Sequence, residues 1–422
     1  VIKKLTALIL SAVVSSSLLS ATSAAAEGER EALQAAFIRT NNLWLAIDEV
    51  QKPLTKEEYI RSPQWSMDGK WMTFLRNENR PEVWTYEAAT GGMRKLGEGT
   101  NAKWAPNGNR VAILSGRTLS VMSADRPSDH SQDHIMDNAG EFSWLPDGSG
   151  LLASTAAELL PEGGWAPIEL YVLKPNGSAG SWTKQLFYRL PAQSDDFFAI
   201  QTSPFKWSPD GRWIAFIAKP TASLSSDANT LILLSSDGQS FVKAGQMLGY
   251  SDWFQWAPSS GQLAFIEGTG REATSNKKLT ILEDVPALKK RVLTPQGYAD
   301  NDFTWDRDEA IIVSRRKDAA WSGDEEDRSL PLLAKVNLRS GQSKNLTRGI
   351  DGYGDYAPTI MTNGMIAFVQ SGQGSAEVKL IKPGARRSLS WLTKLTVAED
   401  YYGRANWSDM IGYLNKRTKE LP

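Results

Sequence analysis

Trp207-Ser208-Pro209-Asp210-Gly211 is one copy of a motif that recurs along the whole chain. Clear copies start at Trp65, Trp104, Trp144, Trp207 and Trp256, and weaker ones at Trp305, Thr359 and Trp407. From one start to the next the spacings are 39, 40, 63, 49, 49, 54 and 48 residues. A recurrence of that period marks one supersecondary unit copied around an assembly, because a single unit cannot bury its own apolar face.

Each copy reads as a β-hairpin. Pro sets φ for the second turn position, Asp tolerates the third, and Gly takes the left-handed position of a bulged hairpin. A short apolar strand follows, at 72–75, 111–114, 214–217, 263–266, 311–313 and 366–369. An alternating third strand comes next, as in Val83-Trp84-Thr85-Tyr86 or Leu170-Tyr171-Val172-Leu173. The fourth is polar and tends to end in Leu-Thr, as at Leu293-Thr294, Leu346-Thr347 and Leu392-Thr393. Four antiparallel strands in roughly 45 residues make the blade of an all-β propeller. The count predicts eight blades, with seven as the alternative.

The chain ends predict how the ring closes. Residues 43–48 with 52–55 match third and fourth strands, yet no motif precedes them. Trp407-Ser408 with 410–414 reads as first and second strands with no third after it. Together they complete one composite blade and leave no exposed sheet edge. Residues 35–39 also resemble a second strand, in which case the C-terminal segment supplies one strand or ends as a short helix.

On these residues the chain resembles the TolB-type propeller repeats, related to the WD-repeat proteins, over about residues 35 to 415. The resemblance implies a fold. For function it implies little, since such propellers serve as binding platforms, enzyme domains and scaffolds. Members in double-membraned bacteria work as periplasmic partners of envelope proteins, so the resemblance also permits an envelope role.

Residues 1–26 read as a Sec signal peptide, with basic Lys3 and Lys4, an apolar run at 5–19 and small Ala24-Ala25-Ala26 before the expected cut. The remaining 27–422 are expected to form one propeller domain in the extracellular or cell-envelope space. The chain has no Cys, which excludes disulfides, thiolate metal sites, a Cys nucleophile and a lipobox. Its net charge of −1 becomes about −3 on removal of the leader, which suggests neither nucleic acid nor an anionic membrane as partner. No later stretch is apolar enough to span a bilayer. Seven of the 16 Trp sit in the motif, so most of the indoles are expected in the core.

Catalytic signatures are sparse. Gly-x-Ser-x-Gly, a phosphate-binding glycine loop and a dinucleotide fingerprint are all missing. The only two His, His130 and His134, would share a helix face with Asp133 or Asp137 as a metal site. They fall instead where a blade needs strands, so neither metal nor cofactor is expected.

The candidate site lies in the segments leading into the first strands. Tyr250 with Asp252, Tyr298 with Asp300, and Tyr353 with Asp355 repeat at one place in successive units. Asp400, Tyr402 and Arg404 precede Trp407, and Asp195 to Phe198 precede Trp207. Such segments run over one face of a propeller, where rings beside carboxylates suit sugars or a basic peptide, unless the Tyr rings pack between blades. Long second-to-third-strand loops open on the same face and carry Trp165 and Trp321.

Two functions follow. The first is a non-catalytic, monomeric binding or scaffold propeller for an envelope or extracellular protein, a peptide or a cell-wall glycan. The second is a carbohydrate-active hydrolase or lyase, with acid and base drawn from Asp252, Asp300, Asp355 and Asp400.

Overall fold

Short strands dominate the chain, continuously apolar at the second position of a blade and polar at the fourth, and they pair antiparallel. A computed structural model describes residues 32–125, 133–177, 180–324, 327–385, 387–398 and 404–414. They form eight antiparallel sheets arranged as an eight-bladed β-propeller. Blades one to seven follow chain order over 60–98, 101–136, 139–189, 201–247, 254–292, 298–345 and 354–392. In the fourth blade the first strand is split into Gln201–Thr202 and Lys206–Trp207. The expected signal peptide lies outside the described residues.

The eighth blade closes the ring with three N-terminal strands, Gln34–Arg39, Asn42–Ile47 and Val50–Pro53, and one C-terminal strand, Ile411–Tyr413. This is the second of the two closures considered. The segment 410–414 is a first strand and supplies no second. Trp407 begins a 3-10 turn over Trp407–Asp409, so it is not a hairpin copy. The motif position belongs to Tyr413, which pairs with Ala35 as Trp65 pairs with Met72. In blade seven that position is Ile360, opposite Ile366, and not its neighbour Thr359.

The motif works through two sets of bonds. Ser66 Oγ donates to Asp68 at 2.7 Å and accepts from the Trp71 amide at 3.0 Å, and Ser208 does the same with Asp210 and Trp213 at 2.6 and 3.0 Å. Gly69 and Gly211 both sit at φ 69°, which only Gly adopts without strain. The indole then crosses to the preceding blade. Trp104 Nε1 donates to the Gln64 carbonyl, Trp144 to Lys103, Trp256 to Lys206 and Trp305 to Gln255, all at 2.9–3.1 Å. Trp65 makes the same bond to the closing strand, donating to the Gly412 carbonyl at 3.1 Å. In three blades the residue before the Trp reaches forward in return. Lys103, Lys206 and Gln255 donate to the carbonyls of Phe142, Phe254 and Phe303 at 2.8, 2.8 and 2.9 Å.

The core lies between blades. One cluster joins the closing blade to blades one and seven through Phe37, Phe74, Val369 and Trp391. Another joins blades four to six through Ile217, Trp253, Phe265 and Val313. No helix among the described residues is long and apolar enough to cross a membrane.

Candidate functional site

The first strands of blades one, three, six and seven break register at one place, between 61/64, 139/142, 300/303 and 356/359. Each break leaves two residues bulged, and Ser62 and Ala357 take left-handed φ of 54° and 46° to make it. A bulge re-aims the side chains it carries. In blade six it separates two Asp with different surroundings. Asp300, before the bulge, faces its cross-strand partner Arg315, which grips it through Nε at 2.7 Å and Nη2 at 2.8 Å. Thr294 adds a 2.6 Å bond, and the whole group is buried.

Asp302, on the bulge, reaches both neighbouring blades. It accepts from Trp253 Nε1 of blade five and from the Ala357 amide of blade seven, each at 3.1 Å. Its carboxylate also lies 3.6 Å from Arg404 Nη2. Arg404 is 3.8 Å from Asp252 Oδ2 through the same nitrogen, and its guanidinium stacks 3.7 Å above the Tyr250 ring. Trp253 holds that ring edge-on at 4.9 Å. One cation thus sits between two carboxylates and over an aromatic face. Of the two acids Asp302 is well covered, whereas Asp252 is half exposed.

Two cavities adjoin at this cation, sharing Asp302, Arg404, Ala405 and Trp407 as walls. The smaller, of 240 Å³, includes Asp252 and Gln255. The larger, of 1440 Å³, opens among blades five, six and seven. Its walls hold three buried polar groups, Thr274 Oγ1, Asn301 Oδ1 and Arg316 Nε, and none of these atoms has a hydrogen-bond partner. Burial lowers the pKa of Arg316, with the Tyr356 ring 5.8 Å from its guanidinium. Buried polar atoms are ordinarily paired, and each one left unmet costs about 1–3 kcal/mol. All three are covered from solvent, so they present no surface to a ligand in the cavity.

The expected site residues are scattered. Tyr353 and Trp321 line the larger cavity, Asp252 lines the smaller one, and Arg404 lines both. Tyr250 lies under Arg404. Asp355 is buried and accepts from Gln370 Nε2 at 2.9 Å, and burial pushes its pKa up. Tyr298 is exposed beside neither cavity, and Trp165 bridges to Leu159 in a blade-three loop away from both. Tyr402, Asp400 and His130 fall outside the described residues. His134 is exposed and pairs with Asp137 at 3.1 Å. No group of three His, Asp or Glu among the described residues is placed to hold a metal ion.

Asp302, Arg316, Tyr356, Asn301 and Thr274 were missed. A bulge shifts the inward set by one residue, and the repeat pattern alone does not show where a strand bulges.

No family model matches the chain. In sequence it is 23% identical over 195 residues to a Bacillus subtilis protein described as uncharacterized peptidase YuxL, covering 38% of this chain and 30% of that one. In structure it is similar to a puromycin hydrolase S511A mutant complexed with PGG, at TM-score 0.51 and 13% identity, covering 81% of this chain and 55% of that one. The fold is shared. TolB from Acinetobacter baumannii aligns over 91% of this chain and 66% of that one, at 13% identity and TM-score 0.37. The chain therefore spans less than a third of its peptidase relative and about half of the puromycin hydrolase. The similarity to a peptidase overturns the expectation of a non-catalytic scaffold and favours the hydrolase reading.

Proposed function

We propose that this chain acts in hydrolysis of peptide-like substrates, with the substrate held in the 1440 Å³ cavity and the labile bond presented at Arg404. The cation at the junction of the two cavities carries this reading: Arg404 lines both and lies 3.8 Å from the half-exposed Asp252. A carbonyl oxygen in the larger cavity and a water in the smaller one can therefore meet at one guanidinium. Weak sequence similarity to a peptidase points the same way.

In this reading Asp252 accepts a proton from water in the smaller cavity, Arg404 meets the negative charge that develops on the attacked carbonyl oxygen, and Asp252 passes the proton to the amine nitrogen as the C–N bond breaks. Asp302 positions Arg404 and takes no part in the chemistry, because its oxygens already accept from Trp253 and the Ala357 amide. A glycan would need an acid and a base on opposite sides of the bond. Asp300 cannot serve as one, being locked by Arg315. The test is a panel of aminoacyl p-nitroanilides beside aryl glycosides, with chromophore release as readout. Turnover of the anilides alone supports the proposal. Turnover of the glycosides alone, or of neither class, overturns it.

A further inference from the structure

A loop of blade five, residues 268–277, closes on itself and carries Ala273 and Thr274, which line the larger cavity. Its ends abut, since a Cβ on Gly268 would lie 1.8 Å from the Asn276 carbonyl oxygen. Gly270 and Asn276 take left-handed φ of 85° and 53° as the chain turns. The centre of the loop is filled by Lys277, which has no exposed surface. Its Nζ donates to the carbonyls of Thr269 at 2.9 Å, Gly270 at 2.9 Å and Ser275 at 3.0 Å. An ammonium has three N–H donors, so the loop is wound around one cation and meets every donor it has.

Charged side chains tie this loop to both neighbouring blades. Arg271 pairs with Asp227 of blade four through Nε at 2.9 Å and Nη2 at 2.7 Å. On the blade-six side Glu272 accepts from the Trp321 amide at 2.8 Å, and Asp318 accepts from the Asn276 amide at 3.3 Å and from Lys278 Nζ at 2.9 Å. Trp321 lines the same cavity, so the set of the loop reaches it through Glu272. Behind the loop the Asp300 amide donates to the Lys277 carbonyl, while the Asp300 carboxylate is held by Arg315. Burial pushes the pKa of Lys277 down to about 8, against the raising effect of Asp318 and Glu272. A neutral amine keeps two N–H donors and turns a lone pair toward the third carbonyl. The nitrogen has no exposed surface, so that carbonyl regains a donor only when part of the loop moves out to solvent.

We propose that Lys277 is a proton-operated latch: its ammonium holds the loop 268–277 closed beside the larger cavity, and loss of the proton frees the loop and loosens Trp321. The latch does not depend on what the cavity binds. Global stability has the opposite sign. A lysine pKa lower in the folded than in the unfolded state makes stability rise with pH from about 8 upward, so the opening is local and is not the start of unfolding.

Trypsin cleavage after Arg271, followed by peptide mapping, reads the state of the loop. Cleavage after the exposed turn residue Arg339 is the reference for protease activity and for global opening. For a pKa near 8 the neutral fraction of Lys277 grows from about a tenth at pH 7 to about nine tenths at pH 9. The ratio of the two cleavage rates is expected to grow roughly ninefold over that interval, and growth of less than about threefold overturns the latch. Lys277→Met lacks the donors at every pH, so its ratio should be high at pH 7 and flat to pH 9. A ratio in the folded variant that still depends on pH, or that stays at the low wild-type value, overturns the assignment to Lys277. If Lys277→Met does not fold, Asp318→Asn decides. Removing that charge should move the midpoint of opening to lower pH, and an unmoved midpoint overturns the assignment.

Discussion

Asp300 and Asp302 are two residues apart on one strand, and one bulge gives them separate work. Asp300 is the buried partner of Arg315, so removing its carboxylate strands a cation in the core. Asp300→Ala is expected to cost about 3–5 kcal/mol in urea unfolding. The double change Asp300→Leu with Arg315→Met should recover most of that loss, because a buried pair adds little over apolar side chains of similar volume. Asp355 offers the contrast. Burial raises its pKa, so the charged form is disfavoured in the folded state, and Asp355→Asn should leave the unfolding midpoint at pH 7 unchanged or higher. A large loss of stability or activity in that variant would show that the charge has a role. The repeat led to the expectation of both acids at a ligand-facing mouth, and the structure buries both, because sequence pattern alone does not distinguish a buried pair from a cavity wall. That distinction depends on Arg315 across the strand and on the one extra residue that the bulge inserts.

Among elements, the Trp hairpin is the unit of assembly. The indoles of Trp65, Trp104, Trp144, Trp256 and Trp305 bond the inner strand of the preceding blade, and Lys103, Lys206 and Gln255 reach forward to the next. Trp256→Phe keeps an aromatic ring but leaves the Lys206 carbonyl without its donor. A loss of about 1 kcal/mol in denaturant unfolding is expected, with no change in circular dichroism. The hairpins and the blade count were readable in sequence because turn chemistry is local. Two motif positions were not. Ile360 and Tyr413 fill the Trp place without indole, and only strand register and the Gly412 carbonyl reveal them. Arg404 was readable as a candidate, whereas its partner Asp302 was hidden by the bulge.

For the whole molecule, closure by a single C-terminal strand makes the ring depend on a few contacts. The strand Ile411–Tyr413 pairs with Ala35 to Phe37, and Trp391 stacks on Tyr413 at 6.1 Å. Ile411→Asp should therefore lower the thermal midpoint and promote association through the uncovered edge of the 34–39 strand, detectable by light scattering. Stability should also depend on pH through Lys206. Burial lowers its pKa to about 8, so the folded protein carries the full cost of the buried charge below that pH. As pH rises from about 8 toward the unfolded lysine value near 10.4, the unfolded chain keeps the proton that the folded chain sheds, and stability rises by up to about 1.4 kcal/mol per unit. Lys206→Gln can make the same forward bond that Gln255 makes. It should be more stable than wild type at pH 7, and the gap should close by pH 10.

The most direct measurement is the rate of alanyl p-nitroanilide hydrolysis by wild type and by Asp252→Asn. Asp252 is half exposed, and the carboxamide of Asn is close to its size, so the variant should fold as wild type does. The expected result is turnover by wild type and a loss of at least a hundredfold in kcat in the variant, with KM little changed. Equal kcat in the two proteins, or no turnover by wild type, would contradict the hydrolase reading of this site.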